Sequence, residues 1–343
     1  MFKKIVSVLL CTLLLSAVLL PAASAATLPI SAGLEKLQDQ FYFGAGPSVG
    51  GTVIDYYAFA PENAGNGTKY PLVVWVHGLV SGGYPGRQIT KNDISYWASA
   101  EFQARFPQGG AYILAPRSPE VVAAWADTMK APLKAAIDSF IQDNYDSIDA
   151  SRIYIGGLSV GGRMTLDMVA AYPDMFAAAF PCSPYYTGSM SSGVAEGCAD
   201  TPVWMLSSKN DYLMTFSWIT SAWNKLAGAS NRKADCRWTV MDTALMPDGS
   251  RTGTTHDTWY AATYDMFMLD DQPFTGSVTY DGSGNVVTLT YPHGMISWLS
   301  GFSSDYSVAK RVSSDSFFTR IYKSIMAFFA RIAKALGLRG ILG

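Results

Sequence analysis

Charge is scarce in this chain. Asp, Glu, Lys and Arg make up 15% of its 343 residues, and they nearly cancel, leaving a formal net charge of −2. A body this weakly acidic offers no electrostatic footing for nucleic acid, so no such partner is expected. Histidine is scarcer still: His77, His256 and His293 are the whole supply, so chemistry that needs an imidazole has three candidate places. A long apolar run occurs only at the N-terminus. Lys3 and Lys4 precede the run Ile5 to Leu20, and Ala23-Ser24-Ala25 follows it. Charged start, short apolar core and small-residue cleavage site together predict a secretory signal peptide over residues 1–25, rather than a retained anchor. A secreted protein, extracellular or periplasmic, is therefore expected. Its mature body of about 318 residues is enough for one large domain, and losing the two lysines makes it slightly more acidic. Cysteine is also sparse. Cys11 leaves with the signal peptide, and Cys182, Cys198 and Cys236 remain, which leaves room for one disulfide and one spare thiol. Cys182 and Cys198 flank a Ser/Gly/Tyr-rich loop and are the expected pair, against the alternative of three buried thiols. Internal repeats are absent.

What is present is concentrated in residues 151 to 166. The apolar run Ile153 to Ile155 leads into Gly157-Leu158-Ser159-Val160-Gly161, and a helical stretch, Arg163 to Tyr172, follows at once. This order predicts strand, sharp turn and helix, with a serine exposed on a strained backbone and two glycines leaving room for the bend. The helix start would aim free N–H groups at negative charge developing there.

Around this turn, strand-like runs alternate with helical ones. Strands are predicted over Thr52 to Phe59, Leu72 to Val76, Ala111 to Ala115, Ile153 to Ile155, Phe176 to Phe180, Val203 to Ser207 and Cys236 to Met241. Helices are predicted over Ala131 to Ile141, Arg163 to Tyr172 and Phe216 to Leu226. Short continuous apolar strands between helices imply an α/β fold with a mostly parallel sheet covered on both faces. Ser277 to Tyr291 departs from the alternation. Two β-branched runs flank Asp281-Gly282-Ser283-Gly284-Asn285, a hairpin signal, read as an insertion at about residues 270–293. Asn66-Gly67-Thr68 has the form of a glycosylation sequon and is read as a turn.

A serine hydroxyl needs a general base, and that base needs an orienting acid. His256, in Thr-Thr-His-Asp-Thr-Trp after the last α/β strand, is the preferred base; His293, in Tyr-Pro-His-Gly-Met after the hairpin, is the rival. Asp211, just beyond the strand that starts at Val203, is the preferred acid, with Asp242 and Asp257 as fallbacks. His77 follows the buried-type strand Val73 to Val76 and opens the Gly-rich loop His77-Gly78-Leu79-Val80-Ser81-Gly82-Gly83. Its side chain is expected to brace that loop, while the backbone N–H groups of Leu79 and Val160 form an oxyanion hole. Neither metal nor organic cofactor is implied.

With these residues in place the chain resembles a secreted α/β-hydrolase. More narrowly, it is similar to the esterase group that includes poly(3-hydroxybutyrate)-depolymerase-like, feruloyl-esterase-like and prolyl-oligopeptidase-like enzymes. The likeness is carried by Pro71 to Gly78, Ile148 to Gly162, Tyr172 to Ala178, Pro202 to Asp211 and His256 to Trp259. It spans about residues 50 to 265 and resumes near Met295 to Leu299. The resemblance implies acyl transfer on small or polymeric esters, with Ser159, Asp211 and His256 as nucleophile, acid and base.

Trp125, Tyr185, Tyr186 and Trp259 are expected to line a substrate pocket, with core packing as the alternative for each. In residues 313–343 a predicted helix carries Arg320, Lys323, Arg331 and Lys334 on an arc of about 80° beside a broad apolar face. It is expected either to contact an anionic membrane surface, a polymer or a partner, or to dock on the protein's own core. Two competing functions remain: a serine peptidase of the prolyl-oligopeptidase type, and a non-catalytic surface-binding protein on the same scaffold.

Overall fold

The computed structural model describes residues 34–310 except 82, 122–123, 247–253, 266–267, 270–271, 274–275 and 289–293. The stretch expected to be a signal peptide, His293 and the cationic C-terminal stretch thus lie outside the described residues. Nine strands form one sheet: β1 Tyr42–Ala45, β2 Asp55–Phe59, β3 Tyr70–Val76, β4 Tyr112–Arg117, β5 Ile148–Leu158, β6 Ala178–Cys182, β7 Val203–Ser208, β8 Cys236–Met241 and β9 Ser277–Asp281. Their spatial order is β1-β2-β4-β3-β5-β6-β7-β8-β9. The six strands from β4 to β8 run parallel. The edges are antiparallel: β1 on β2, β2 on β4, and β9 on β8. This is the mostly parallel sheet that the alternating pattern implies.

Alternation along β3 explains why its sequence is apolar throughout. Leu72, Val74 and Val76 face one core and Val73 and Trp75 the other, since successive side chains leave opposite faces of a strand. The first core is closed by three helices, α1 Lys130–Asp143, α2 Val160–Ala171 and α3 Phe216–Ala227, through residues such as Leu133, Met164 and Ile219. The second is closed by the turn-rich segment Lys91–Ala98 and two short helices, α4 Trp259–Thr263 and α5 Met295–Ser300, with Trp97, Trp259 and Trp298 buried there.

Two expectations need correction. First, the expected insertion is not set apart from the sheet edge, a point left open by the sequence: its first strand, β9, pairs with β8. Its turn is the expected one, with Asp281 N–H donating to the Asn285 carbonyl at 2.9 Å. The reason is that β8 would otherwise be an edge with unpaired backbone groups. Second, the Cys182–Cys198 disulfide does not form; Cys182, Cys198 and Cys236 are all free and buried. Cys182 lies in the core on one face of the sheet and Cys198 in the core on the other, so the sheet separates them.

Candidate active site

Ser159 stands between β5, the central strand, and α2. Its backbone is at φ 60°, ψ −118°, a conformation that costs a non-glycine residue on the order of 1–3 kcal/mol. The surroundings enforce it. Ser159 N–H donates to the Cys182 carbonyl at 3.0 Å, and its carbonyl accepts from Arg163 N–H and Tyr185 N–H, each at 2.9 Å. The flanking glycines are sterically required. A Cβ on Gly157 would stand 2.4 Å from the Val76 carbonyl oxygen, and one on Gly161 would stand 2.1 Å from it.

Asp211 and His256, 45 residues apart in sequence, are brought together. His256 Nδ1 lies 2.7 Å from Asp211 Oδ2, and both side chains are buried. Asp211 Oδ1 accepts from the N–H groups of Leu213 at 2.9 Å and Met214 at 2.8 Å. A carboxylate only accepts, so the imidazole carries its proton on Nδ1 and leaves Nε2 as a lone-pair acceptor. Nε2 is buried without a hydrogen-bond partner, so the Ser159 hydroxyl does not bond to it in this structure. Such contacts are commonly long in substrate-free sites and tighten when substrate binds.

The sheet sets the spacing of these groups. Leu158 at the end of β5 is level with Cys182 in β6, which is level with Leu206 in β7. With neighbouring strands about 4.8 Å apart, the ends of β5 and β7 lie about 10 Å from each other, a span one imidazole can bridge. A further tie links the two sides. Ser183, held at φ 40°, shares a 3.0 Å hydrogen bond with Thr258, whose N–H donates to the His256 carbonyl at 2.8 Å. Neither residue stood out in the sequence, because the link exists only after the strands pair.

The fallback acids are engaged elsewhere. Asp242 pairs with Lys209 at 2.7 Å, and Asp257 accepts from the Trp259 indole N–H at 3.0 Å.

His77 has the bracing role expected of it. It is fully buried. Its Nδ1 lies 2.6 Å from the Gly78 carbonyl, and its Nε2 accepts from Ser118 N–H at 3.0 Å. The ring is therefore neutral, with its proton on Nδ1. Desolvation, the largest influence, pushes its pKa down to about 4. Leu79 lies in the turn just beyond, and Val160 is the first residue of α2, where N–H groups have no intrahelical partner.

Three of the four aromatics expected at a pocket take the alternative, core packing. Trp125 is fully buried under the His77 loop, Tyr186 is buried with its hydroxyl donating to Asp167 at 3.2 Å, and Trp259 is buried against Tyr260. All three belong to the hydrophobic cores. Tyr185 alone stays open, 37% exposed, with its N–H on the Ser159 carbonyl. Among the described residues no group of three His, Cys, Asp or Glu could hold a metal ion.

No family model matches the chain. Among curated proteins, the probable acetylxylan esterase A of Aspergillus clavatus is 26% identical over 207 residues, which is 57% of this chain and 58% of that protein. Feruloyl esterase B of Neurospora crassa is 28% identical over 173 residues, 48% of this chain and 50% of that protein. Poly(3-hydroxyalkanoate) depolymerase C of Paucimonas lemoignei is 56% identical over a short stretch of 62 residues, 16% of this chain and 15% of that protein. The chain thus spans little more than half the length of these relatives at most. Among solved structures, a thermostable esterase superposes with a TM-score of 0.55 at 27% identity, covering 67% of this chain and 61% of that one. A ferulic acid esterase of Anaeromyces mucronatus, solved with ferulic acid, gives 0.50 at 16% identity, covering 64% and 88%, a likeness of fold alone. The architecture is that of the α/β-hydrolases.

Proposed function

We propose that this α/β-hydrolase-fold chain cleaves carboxylic esters by acyl transfer through Ser159. The observation that carries the reading is the buried Asp211–His256 hydrogen bond, which leaves Nε2 a lone-pair acceptor with no partner of its own. In this mechanism the Ser159 hydroxyl attacks the ester carbonyl as its proton passes to His256 Nε2. The charge on the tetrahedral oxygen meets the N–H groups of Leu79 and Val160. Asp211 stabilises the imidazolium and holds its tautomer. The imidazolium then protonates the leaving alkoxide, the acyl group stays on Ser159, and a water activated by His256 releases the acid.

The substrates named for the relatives, acetylated xylan, feruloyl esters and poly(3-hydroxyalkanoate), support an ester of a small acyl or aryl acid on a polymer. In this reading Tyr185, exposed and with its N–H on the Ser159 carbonyl, meets the substrate. Export by residues 1–25, and surface or polymer contact through residues 313–343, belong to the same proposal. Among the described residues no helix is long and apolar enough to cross a membrane.

The test is hydrolysis of p-nitrophenyl acetate by the wild type and Ser159→Ala. The substitution should lower kcat by about 10³-fold or more with the fold intact by circular dichroism. Equal turnover by the two proteins would remove Ser159 from the mechanism.

A further inference from the structure

Trp125 is one of six non-glycine residues with a positive φ among the described residues. A bulky residue at φ 59° is a steric outlier, yet this one is fully buried and tied at both ends. Its carbonyl accepts from Arg163 Nη2 at 2.8 Å, on the helix that starts at Val160. Its indole N–H donates to the His77 carbonyl at 2.9 Å. Its ring packs against the His77 ring with centroids 4.9 Å apart.

Two consecutive peptide planes are pinned by these contacts. The His77 carbonyl is held by Trp125 and lies so close to α2 that a Cβ on Gly161 would stand 2.4 Å from it. The Gly78 carbonyl is held by His77 Nδ1 at 2.6 Å and by Ser81 N–H at 3.3 Å. A trans peptide is planar, so its C=O and N–H point in opposite directions. Fixing the Gly78 oxygen against the imidazole therefore fixes the direction of the Leu79 N–H. The imidazole is itself fixed by Ser118 N–H from the other side.

We propose that Trp125 is a positioning residue: through the His77 carbonyl and ring it aims the Leu79 N–H, and through Arg163 it references that donor to the helix bearing the Val160 N–H. The clamp rests on the hydrolase reading above. It explains why a strained tryptophan is buried against the His77 ring and carbonyl. Catalysis by such donors depends on their being aimed before charge develops, and a rigid clamp supplies that aim without touching substrate.

The test uses the full chain, p-nitrophenyl acetate, a fluorophosphonate probe to count reactive Ser159, and phenylboronic acid as a tetrahedral mimic. Trp125→Phe keeps the ring contact and removes the indole N–H. The expected result is kcat per labelled site about 10- to 100-fold lower, KM within about threefold of wild type, and a parallel loss of boronate affinity. His77→Leu should do the same. His77→Gln, whose amide can donate to Gly78 and accept from Ser118, should recover most of the loss. Turnover of both Trp125→Phe and His77→Leu within about threefold of wild type overturns the proposal, as does a loss seen only as fewer labelled sites. A wild type that neither labels at Ser159 nor turns over ester instead overturns the hydrolase reading, and the clamp with it.

Discussion

His77 shows how a single side chain can be assigned by what surrounds it. A histidine after a buried strand and before a Gly-rich loop is ambiguous in sequence: it can react, bind metal or hold the loop. Full burial and two backbone partners decide for the loop. The same burial has a consequence for stability. As pH falls below about 6.5 the unfolded chain takes up the His77 proton, whereas the folded chain resists until about 4. Stability contributed by neutral His77 is therefore complete above the unfolded pKa and is lost as pH drops through that window. The difference is worth on the order of 3 kcal/mol. Asp167 and Asp265, both raised chiefly by burial, act in the opposite sense, but they are shared with a His77→Gln variant. Urea unfolding of the two proteins from pH 7 to pH 4 should show the wild type losing more stability than the variant. Parallel curves would contradict the buried neutral state.

At the scale of elements, the turn from β5 to α2 was legible because its requirements are local. Two glycines, a serine and an apolar run suffice to describe a strand, a tight bend and a helix. The structure adds why the glycines cannot be replaced: their missing Cβ atoms would meet the Val76 carbonyl of β3, a strand far earlier in the chain. Gly161→Ala should therefore disrupt the elbow itself, by forcing α2 away from Val76 and His77. The expected outcome is a loss of about 2 kcal/mol or more in urea unfolding, together with lost ester turnover. An unchanged urea midpoint would mean that the backbone gives way more easily than this packing implies. Boundaries were less legible. The strand expected over Ile153 to Ile155 extends across Ile148–Leu158, since Ile148, Gly156 and Gly157 pair with β3 and Leu158 pairs with β6. Strand β1 went unread for the same reason: its residues are exposed apart from half-buried Gly44, and they gain order from pairing with β2.

The whole molecule decides questions of partnership. Cys182 and Cys198 look like a disulfide pair in sequence because they flank a loop, but the sheet puts them in different cores. Burial raises all three thiols, Cys198 and Cys236 to about 12, and an undissociated thiol is a poor nucleophile. Ellman's reagent should therefore titrate no body thiol in the native protein and three after unfolding in guanidinium, and dithiothreitol should leave the melting temperature unchanged. A melting temperature that falls on reduction would show a bridge that this packing excludes.

Residue identity and spacing along the chain determined the elbow at Ser159, the α/β alternation and the choice of Asp211 and His256. These depend on local backbone chemistry and on a strand order that returns each loop to the same end of the sheet. Tertiary structure alone decided which aromatics are buried and which stays open, that β9 joins the sheet, and that Trp125 meets His77 and Ser183 meets Thr258. A side chain's burial and its partners are set by elements distant in sequence, and hydrophobic character is the same whether a ring faces substrate or core.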